Sequence, residues 1–476
     1  MSFIKIFVLA ILFPITVSAQ NPFTKLYGDS LKDEGFINIS IYDSNQFVTS
    51  RYTDVKGLGA MFLNEFGDSV HSYIESVNGG YATSYHVIGN NNFVTTGSYY
   101  LGSLNTYDVL LQIVNTTSAI SSVLKHYGGA DNDLGYDIEL LPDSGFMIVG
   151  ATKSYGAGAN DVYIIRTDKN GDTLWTRTFG NSDAQIAHGI EKQSDSVYIV
   201  AGLWANIENN AMMDAFAMKI NLNGDTSNFH YYGNNHQNFG QSLCKTADGG
   251  FAIAGWSTVD YGGTYSPDGV IYKTDSTLNL QWTKYYGTIY NEDIFDIQST
   301  YDNGFVLVGY SKRPSRGKDV YIVRTDSQGD TLWTKTLGGA YDEQAYSVVQ
   351  TSDSGFAVVG YTYSFGAGGS DAFFLKLKSN GDITVNIGIV PEFKDLGIKL
   401  YPNPAKENIT IDFKITLTQE AELFIYNALG QKLRSYSLQK HQSEINIGLF
   451  GIKSGVYYCE LRTNNKTIGA GKFIKE

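Results

Sequence analysis

The sequence predicts an all-β chain, a seven-bladed β-propeller followed by a small Ig-like β-sandwich. Three observations lead there. Short runs rich in Val, Ile, Phe and Tyr alternate with turn residues, and none sustains a 3.6-residue apolar period. An aromatic opens such a run at Phe47, Phe93, Phe146, Tyr198, Phe251, Phe305 and Phe356, a near-constant interval. After Asp382 the pattern changes to a second set of short strands.

Composition sets the bounds. A chain of 476 residues exceeds one ordinary core. With 17% charged and 42% hydrophobic residues it reads as folded. A net charge of −13 excludes a nucleic-acid partner, which needs a basic surface. At the N-terminus, Lys5, the apolar stretch Ile6 to Val17 and the small residues Val17-Ser18-Ala19 read as a signal peptide over 1–19. No later run is long enough to span a membrane as a helix, so no integral membrane segment is expected. The two cysteines, Cys244 and Cys459, fall in different domains and are expected to be buried thiols.

The repeats occupy 20–385. Thr351 to Asp382 is the cleanest copy. It has a turn at Asp353-Ser354-Gly355, an apolar run from Phe356 to Gly360 and a Gly-rich loop. Asp371, a second run and the turn Asn380-Gly381-Asp382 complete it. The Asp recurs at Asp108, Asp161, Asp214, Asp268 and Asp319, and an aromatic follows the closing turn at Trp175, Phe229, Trp282 and Trp333. Each unit has room for four strands, which at this period is a propeller blade rather than the shorter coil of a β-solenoid. In the last unit the expected strands are 345–351, 355–362 and 371–378, and the preceding unit ends on 331–337. Phe23 to Gly28 resembles Trp333 to Gly338, a fourth strand without its own blade. It is expected to complete the seventh blade and remove an open edge. Residues 383–387 compete for that place. The unit resembles the Asp-Gly-Gly-Phe type of propeller repeat common in secreted proteins.

A linker is expected over 386–396 and a separate domain over 397–476, with strands at 409–415, 422–426, 432–438, 456–461 and 472–474 and a hairpin turn at 427–430. Four motifs stand in order here: Tyr401-Pro402-Asn403-Pro404, Ile425-Tyr426-Asn427-Ala428-Leu429-Gly430, Ser454-Gly455-Val456-Tyr457-Tyr458, and Lys472-Phe473-Ile474-Lys475. The domain resembles the C-terminal sorting domain of the type IX secretion system. The resemblance implies the type IX machinery as partner. It implies export through the periplasm, ending outside the cell or on its outer surface, and sorting residues Tyr401, Pro402, Asn403, Pro404, Gly455, Tyr457, Lys472 and Lys475.

Catalytic grammar is missing. The Gly-rich loops at 154–160 and 364–370 lack Gly-Lys-Ser/Thr and precede strands, so they are not phosphate cradles. No His-Glu-x-x-His or Gly-x-Ser-x-Gly occurs. Asp168 to Asp172 lacks the spacing of a calcium loop. The recurrent Asp161, Asp319 and Asp371 are expected to bond loop amides. No catalytic residue, metal or cofactor is expected. Binding candidates lie in the loops that share one face: Trp204, Trp256, Tyr310 and Tyr361 beside Asp133, Asp293 and Asp342. Rings beside carboxylates suit sugars, so the expected role is a binding or scaffold module for a glycan or another surface protein. The alternatives are a polysaccharide lyase or glycosidase using paired carboxylates on the same face, and a purely structural surface component.

Overall fold

The computed structural model describes residues 23–28, 33–43, 46–53, 58–75, 80–89, 92–115, 120–206, 212–312, 317–384, 398–413, 417, 419–427, 432–463 and 466–476. The expected signal peptide, the linker 386–396 and the turn residues 428–430 lie outside these. The chain divides into two compact units, residues 1–383 and 384–476. Among the described residues every regular element is a β-strand.

The first unit holds seven four-stranded antiparallel sheets, each built from consecutive strands except the last. The first strand of each runs Glu34–Asp43, Tyr81–Val87, Asp133–Leu140, Gln185–Lys192, Asn238–Lys245, Asn291–Ser299 and Glu343–Gln350. The middle strands are apolar on both faces. Phe146–Thr152, Phe356–Thr362 and Asp371–Leu377 are buried along their whole length. A sheet with two apolar faces must be covered on both sides. It is covered here by its neighbours. Seven apolar clusters each join one sheet to the next, and one of them joins the last sheet (Ala357, Val359, Phe374) to the first (Phe36, Phe47, Leu63). This is a propeller-like all-β array.

The seventh sheet takes its outer strand from the N-terminus. Lys25–Tyr27 pairs antiparallel with Asp371–Leu377, with Leu26 opposite Phe373. The competing residue Ile383 makes an isolated bridge to Leu377. Phe23 stacks on Phe373 at 4.1 Å and is buried. The outer strands also reach across to the closing turn of the next sheet. Tyr127 donates to Gly171 O at 2.7 Å, Tyr286 to Gly329 O at 2.8 Å and the Trp333 indole to Ser379 O at 3.1 Å. The borrowed strand does the same: Tyr27 donates to Gly67 O, and Lys25 pairs with Asp68 at 2.6 Å. Last-to-first contact thus repeats the chemistry of every other junction.

The repeat markers are explained by local bonds. Asp161 Oδ2 accepts from the amides of Ala157 (2.8 Å) and Gly158 (3.0 Å), and Asp371 Oδ2 does the same for Ala367 (3.0 Å). The Gly-rich loop therefore wraps a buried carboxylate. At Gly366, with φ +119°, a Cβ would lie 2.2 Å from Asp371 Oδ2, so no side chain fits. The Asp of each Asp-x-Gly-Phe turn pairs with a cation on the third strand: Asp248 with Lys273 (2.8 Å), Asp302 with Arg324 (2.5 Å), Asp353 with Lys376 (2.8 Å). Both cysteines are free and buried.

The second unit contains a three-stranded sheet, in the order Lys399–Tyr401, Asn408–Asp412, Glu444–Gly448. Its four-stranded sheet runs Lys432–Leu438, Ala421–Asn427, Gly455–Thr463, Lys466–Lys475. Its core gathers Ile409, Phe413, Leu423, Ile425, Leu461 and Phe473. Two strands, Lys399–Tyr401 and Glu444–Gly448, were not expected. Their alternation is short and partly exposed, so neither shows an apolar run.

Phe23→Ala is expected to cost about 3 kcal/mol by equilibrium urea unfolding, in the range for a buried Phe. An unchanged unfolding midpoint would dispose of the idea that the N-terminal strand secures the last sheet.

Candidate functional site

The innermost strand of six of the seven sheets carries a one-residue irregularity at the same place, and that of the first sheet has a wider one between Phe36 and Ile39. Register shifts fall between Ala82 and Ser84, Gly135 and Asp137, Ala187 and Gly189, Gly240 and Ser242, Ile294 and Asp296, and Ala345 and Ser347. A bulge leaves one residue unpaired and re-aims its side chain. The bulged residues Thr83, Tyr136, His188, Gln241, Phe295 and Tyr346 all line one cavity of about 680 Å³, to which all seven sheets contribute.

Below the bulges, two aspartates staple the sheets. Asp137 accepts from Ser84 Oγ in the preceding sheet (2.7 Å) and Ile190 N in the following one (2.9 Å). Asp296 accepts from Ser242 Oγ (3.0 Å), Ser347 Oγ (2.9 Å) and Val348 N (3.0 Å). Burial raises both carboxyls, Asp296 to about 6, against the pull of these bonds. Glu139 and Glu191 also line the cavity. Burial comes first and the charge of Glu191 next in pushing Glu139 up to about 8, and burial with the charge of Asp137 pushes Glu191 to about 7. His86 and His188 are lowered by burial and stay neutral.

The sequence candidates divide into three groups. Asp133 is fully buried. It accepts from Thr152 Oγ1, from Gly129 N (2.8 Å) and from Ser154 Oγ (2.6 Å), and so fastens the loop that enters its strand. Glu343 does the same with Thr362 Oγ1 (2.9 Å) and Gly339 N (2.7 Å) in the seventh sheet, so Asp133 belongs to the repeat rather than to a ligand. Trp204 packs within its own sheet, 5.0 Å from Phe229 and 5.7 Å from Phe216. It lies opposite Gln185, whereas Trp256, Tyr310 and Tyr361 lie opposite Phe239, Asp293 and Gln344, one step further along the inner strand. A one-residue offset points a strand side chain to the other face. Trp256 stacks on Phe239 at 4.4 Å.

The remaining candidates meet between the sixth and seventh sheets. Lys318 Nζ sits 4.0 Å from the Tyr310 ring centroid, and Lys318 N donates to Asp342 Oδ1 at 2.9 Å. Asp293, the partner of Tyr310 across the strands, has a buried Oδ1 without a hydrogen-bond partner among the described residues. Burial raises it to about 7 despite the nearby Lys318. Rings continue from Tyr310 to Phe295 (5.7 Å), Tyr346 (5.2 Å further) and Tyr361 (5.8 Å further), so the cluster runs into the cavity wall. The residues that sequence reasoning missed are the cavity glutamates and histidines. Their signal was the repeat itself. Aligned at its period, Glu139 and Glu191 fall where the fifth, sixth and seventh sheets carry Cys244, Gln298 and Val349.

In the second unit, the predicted sorting residues cluster. Asn403 Nδ2 donates to Lys472 O (3.0 Å), and Asn403 Oδ1 accepts from Ile474 N (2.9 Å). The segment from Tyr401 through Pro402 to Pro404 is thereby fixed to the last strand. Tyr457 stacks on Phe473 at 5.5 Å and donates to Lys453 O at 2.6 Å, bridging the turn before Gly455. Lys472 is exposed and Lys475 ends the strand.

Residues 399–476 match the family of secretion system C-terminal sorting domains. This tail marks the protein for export to the cell surface or beyond by the type IX system. The whole chain is similar in structure to PorZ, an essential surface component of the type-IX secretion system of Porphyromonas gingivalis, at 11% identity and a TM-score of 0.37, covering 93% of this chain. It is also similar to an extracellular domain from B. thetaiotaomicron at 12% identity and a TM-score of 0.45, covering 96% of this chain. The chain spans 65% and 58% of the length of these two. The Dos1 propeller matches at 9% identity and a TM-score of 0.41, covering 74% of this chain and 94% of its own. No curated protein matches the sequence.

Glu139 and Glu191 have pKa values above the unfolded value of roughly 4.3. Their contribution to stability is complete below that value and lost as pH rises through about 7 and about 8. Melting temperature should fall from about pH 5 to about pH 9. The Glu139→Gln/Glu191→Gln variant should fall less over the same span, and a parallel decline would remove the two carboxyls as the cause.

Proposed function

We propose that the protein is an exported binding module. Its seven sheets close as a seven-bladed β-propeller of Asp-Gly-Gly-Phe type repeats, an Ig-like sorting domain delivers it, and it takes a glycan between the sixth and seventh blades. One observation carries the binding reading. Among the described residues, Tyr310, Lys318, Asp293 and Asp342 come together in one sector, beside a buried oxygen of Asp293 that has no hydrogen-bond partner among them. A structural role repeats from blade to blade, as Asp371 and Asp133 do. This group does not. Ring faces stack on pyranose faces, and a carboxylate next to an ammonium takes paired hydroxyls. The second reading, a secreted polysaccharide lyase or glycosidase, draws on the nearby carboxylates Glu139 and Glu191, both raised toward neutrality as acid–base groups are.

Two experiments test this. On a glycan array, Tyr310→Ala and Lys318→Ala should each lower binding of the mature protein about ten-fold or more, as expected for loss of an anchor. Unchanged array profiles for both would end the glycan reading. Removing residues 399–476 should abolish appearance of the protein outside the cell, and normal export of the truncated chain would refute the delivery role.

A further inference from the structure

To the cavity, the third and fourth sheets contribute Asp137, Glu139 and Glu191 with the ring of Tyr136, while the sixth and seventh contribute the rings of Phe295 and Tyr346 with the carboxylate of Asp296. No lysine or arginine lines it. His188 Nδ1 lies 2.8 Å from Gly240 O, so in the neutral ring that nitrogen carries the proton and Nε2 is left as an acceptor. His86 also lines the cavity, beside Asp137, and neither ring nitrogen has a hydrogen-bond partner among the described residues. The lining therefore offers carboxylates, an imidazole lone pair and ring faces, with no fixed positive charge. Its volume lies within the roughly 300–1,000 Å³ range of small-ligand sites.

We propose that this cavity receives a glycan bearing a free, protonated amine, with the amino group beside Glu139 and Glu191 and a sugar ring against Phe295 and Tyr346. The inference rests on the glycan reading above and names its substrate class. Glu139 and Glu191 stand three residues beyond the bulge of their strands, about 10 Å further along the strand than the bulged residues. That spacing suits an oligosaccharide of more than one unit. The amine has a specific task. Glu139 is faced by Asp137, Glu191 and Lys192, and Glu191 by Asp137 and Lys245. Neither lysine is among the cavity-lining residues, so the counter-charges of Lys192 and Lys245 act on the carboxylates from behind the cavity wall. A cation between them relieves that repulsion, while a uronic-acid sugar would add to it. An N-acetylated sugar would bring no charge and would leave the glutamates competing for protons.

Calorimetric titration of the mature protein separates the possibilities, using a glucosamine trisaccharide with free amines, its N-acetylated form, and spermidine. The free-amine trisaccharide should bind about ten-fold tighter than the acetylated one. Glu139→Gln/Glu191→Gln should erase that preference while keeping its melting transition, and Glu191→Gln alone should reduce it if the double variant does not fold. Equal binding of the two trisaccharides would overturn the amine assignment and leave the glycan reading standing. So would a preference that survives in the glutamine variants. Binding of spermidine with neither trisaccharide would overturn the sugar and retain the amine. No binding of any of the three would overturn the inference entirely.

Discussion

Burial on both faces of every sheet is the constraint from which the rest of this structure follows. Strands such as Phe356–Thr362 and Asp371–Leu377 have no solvent side. A sheet made of them is stable only between two others, and a row of such sheets leaves two raw faces at its ends. The chain meets that demand by packing Phe374 and Val359 of the last sheet on Phe36 and Phe47 of the first, and by completing the last sheet with its own N-terminal strand. The contacts of Tyr27 and Lys25 then reproduce those of Tyr127 and Lys125 two sheets away.

The same constraint shapes the interior. Inner strands converge on a shared space, and they bulge there rather than continuing as flat ladders. Side chains lost from the ladder become the cavity lining. Asp137 and Asp296 then take over part of the joining, each reaching the sheets on both sides through hydroxyl and amide donors. Charged groups so deeply placed persist because each is met by several donors, which is the usual condition for a buried carboxylate. Glu139 and Glu191 have backbone amides of Lys192 and Lys245 near them, yet burial first and neighbouring carboxylates next displace their ionisation toward neutral pH.

Much of the fold was legible. The aromatic that opens the second strand of each sheet, Phe146 or Phe251 for example, marked the period because it fills the junction with the preceding sheet. The strand Thr331–Leu337 stands where its pattern placed it, since alternation and turn chemistry are local. The candidate site was legible only in part. Tyr310, Asp293 and Asp342 were visible as rings and acids in loops of one face. Trp204 stands one residue further along than the other rings in the sequence itself, and the structure gives that offset its consequence, since a single-residue step decides which face a strand side chain takes. Asp133 could not be separated from them by sequence, because its partners Thr152 and Ser154 are on another strand.

By itself the sequence determined the all-β class of architecture and the tail that addresses the protein for export, since each is written in short-range patterns of apolar runs, turns and motifs. Only the tertiary structure decided which carboxylates are spent on structure and which face open space. That outcome depends on contacts between residues some fifty positions apart, such as Ser84 with Asp137, separated by 53 residues, and Ser242 with Asp296, separated by 54. Neither local propensity nor composition records such pairs, because they form only when neighbouring sheets are packed and their bulges aligned.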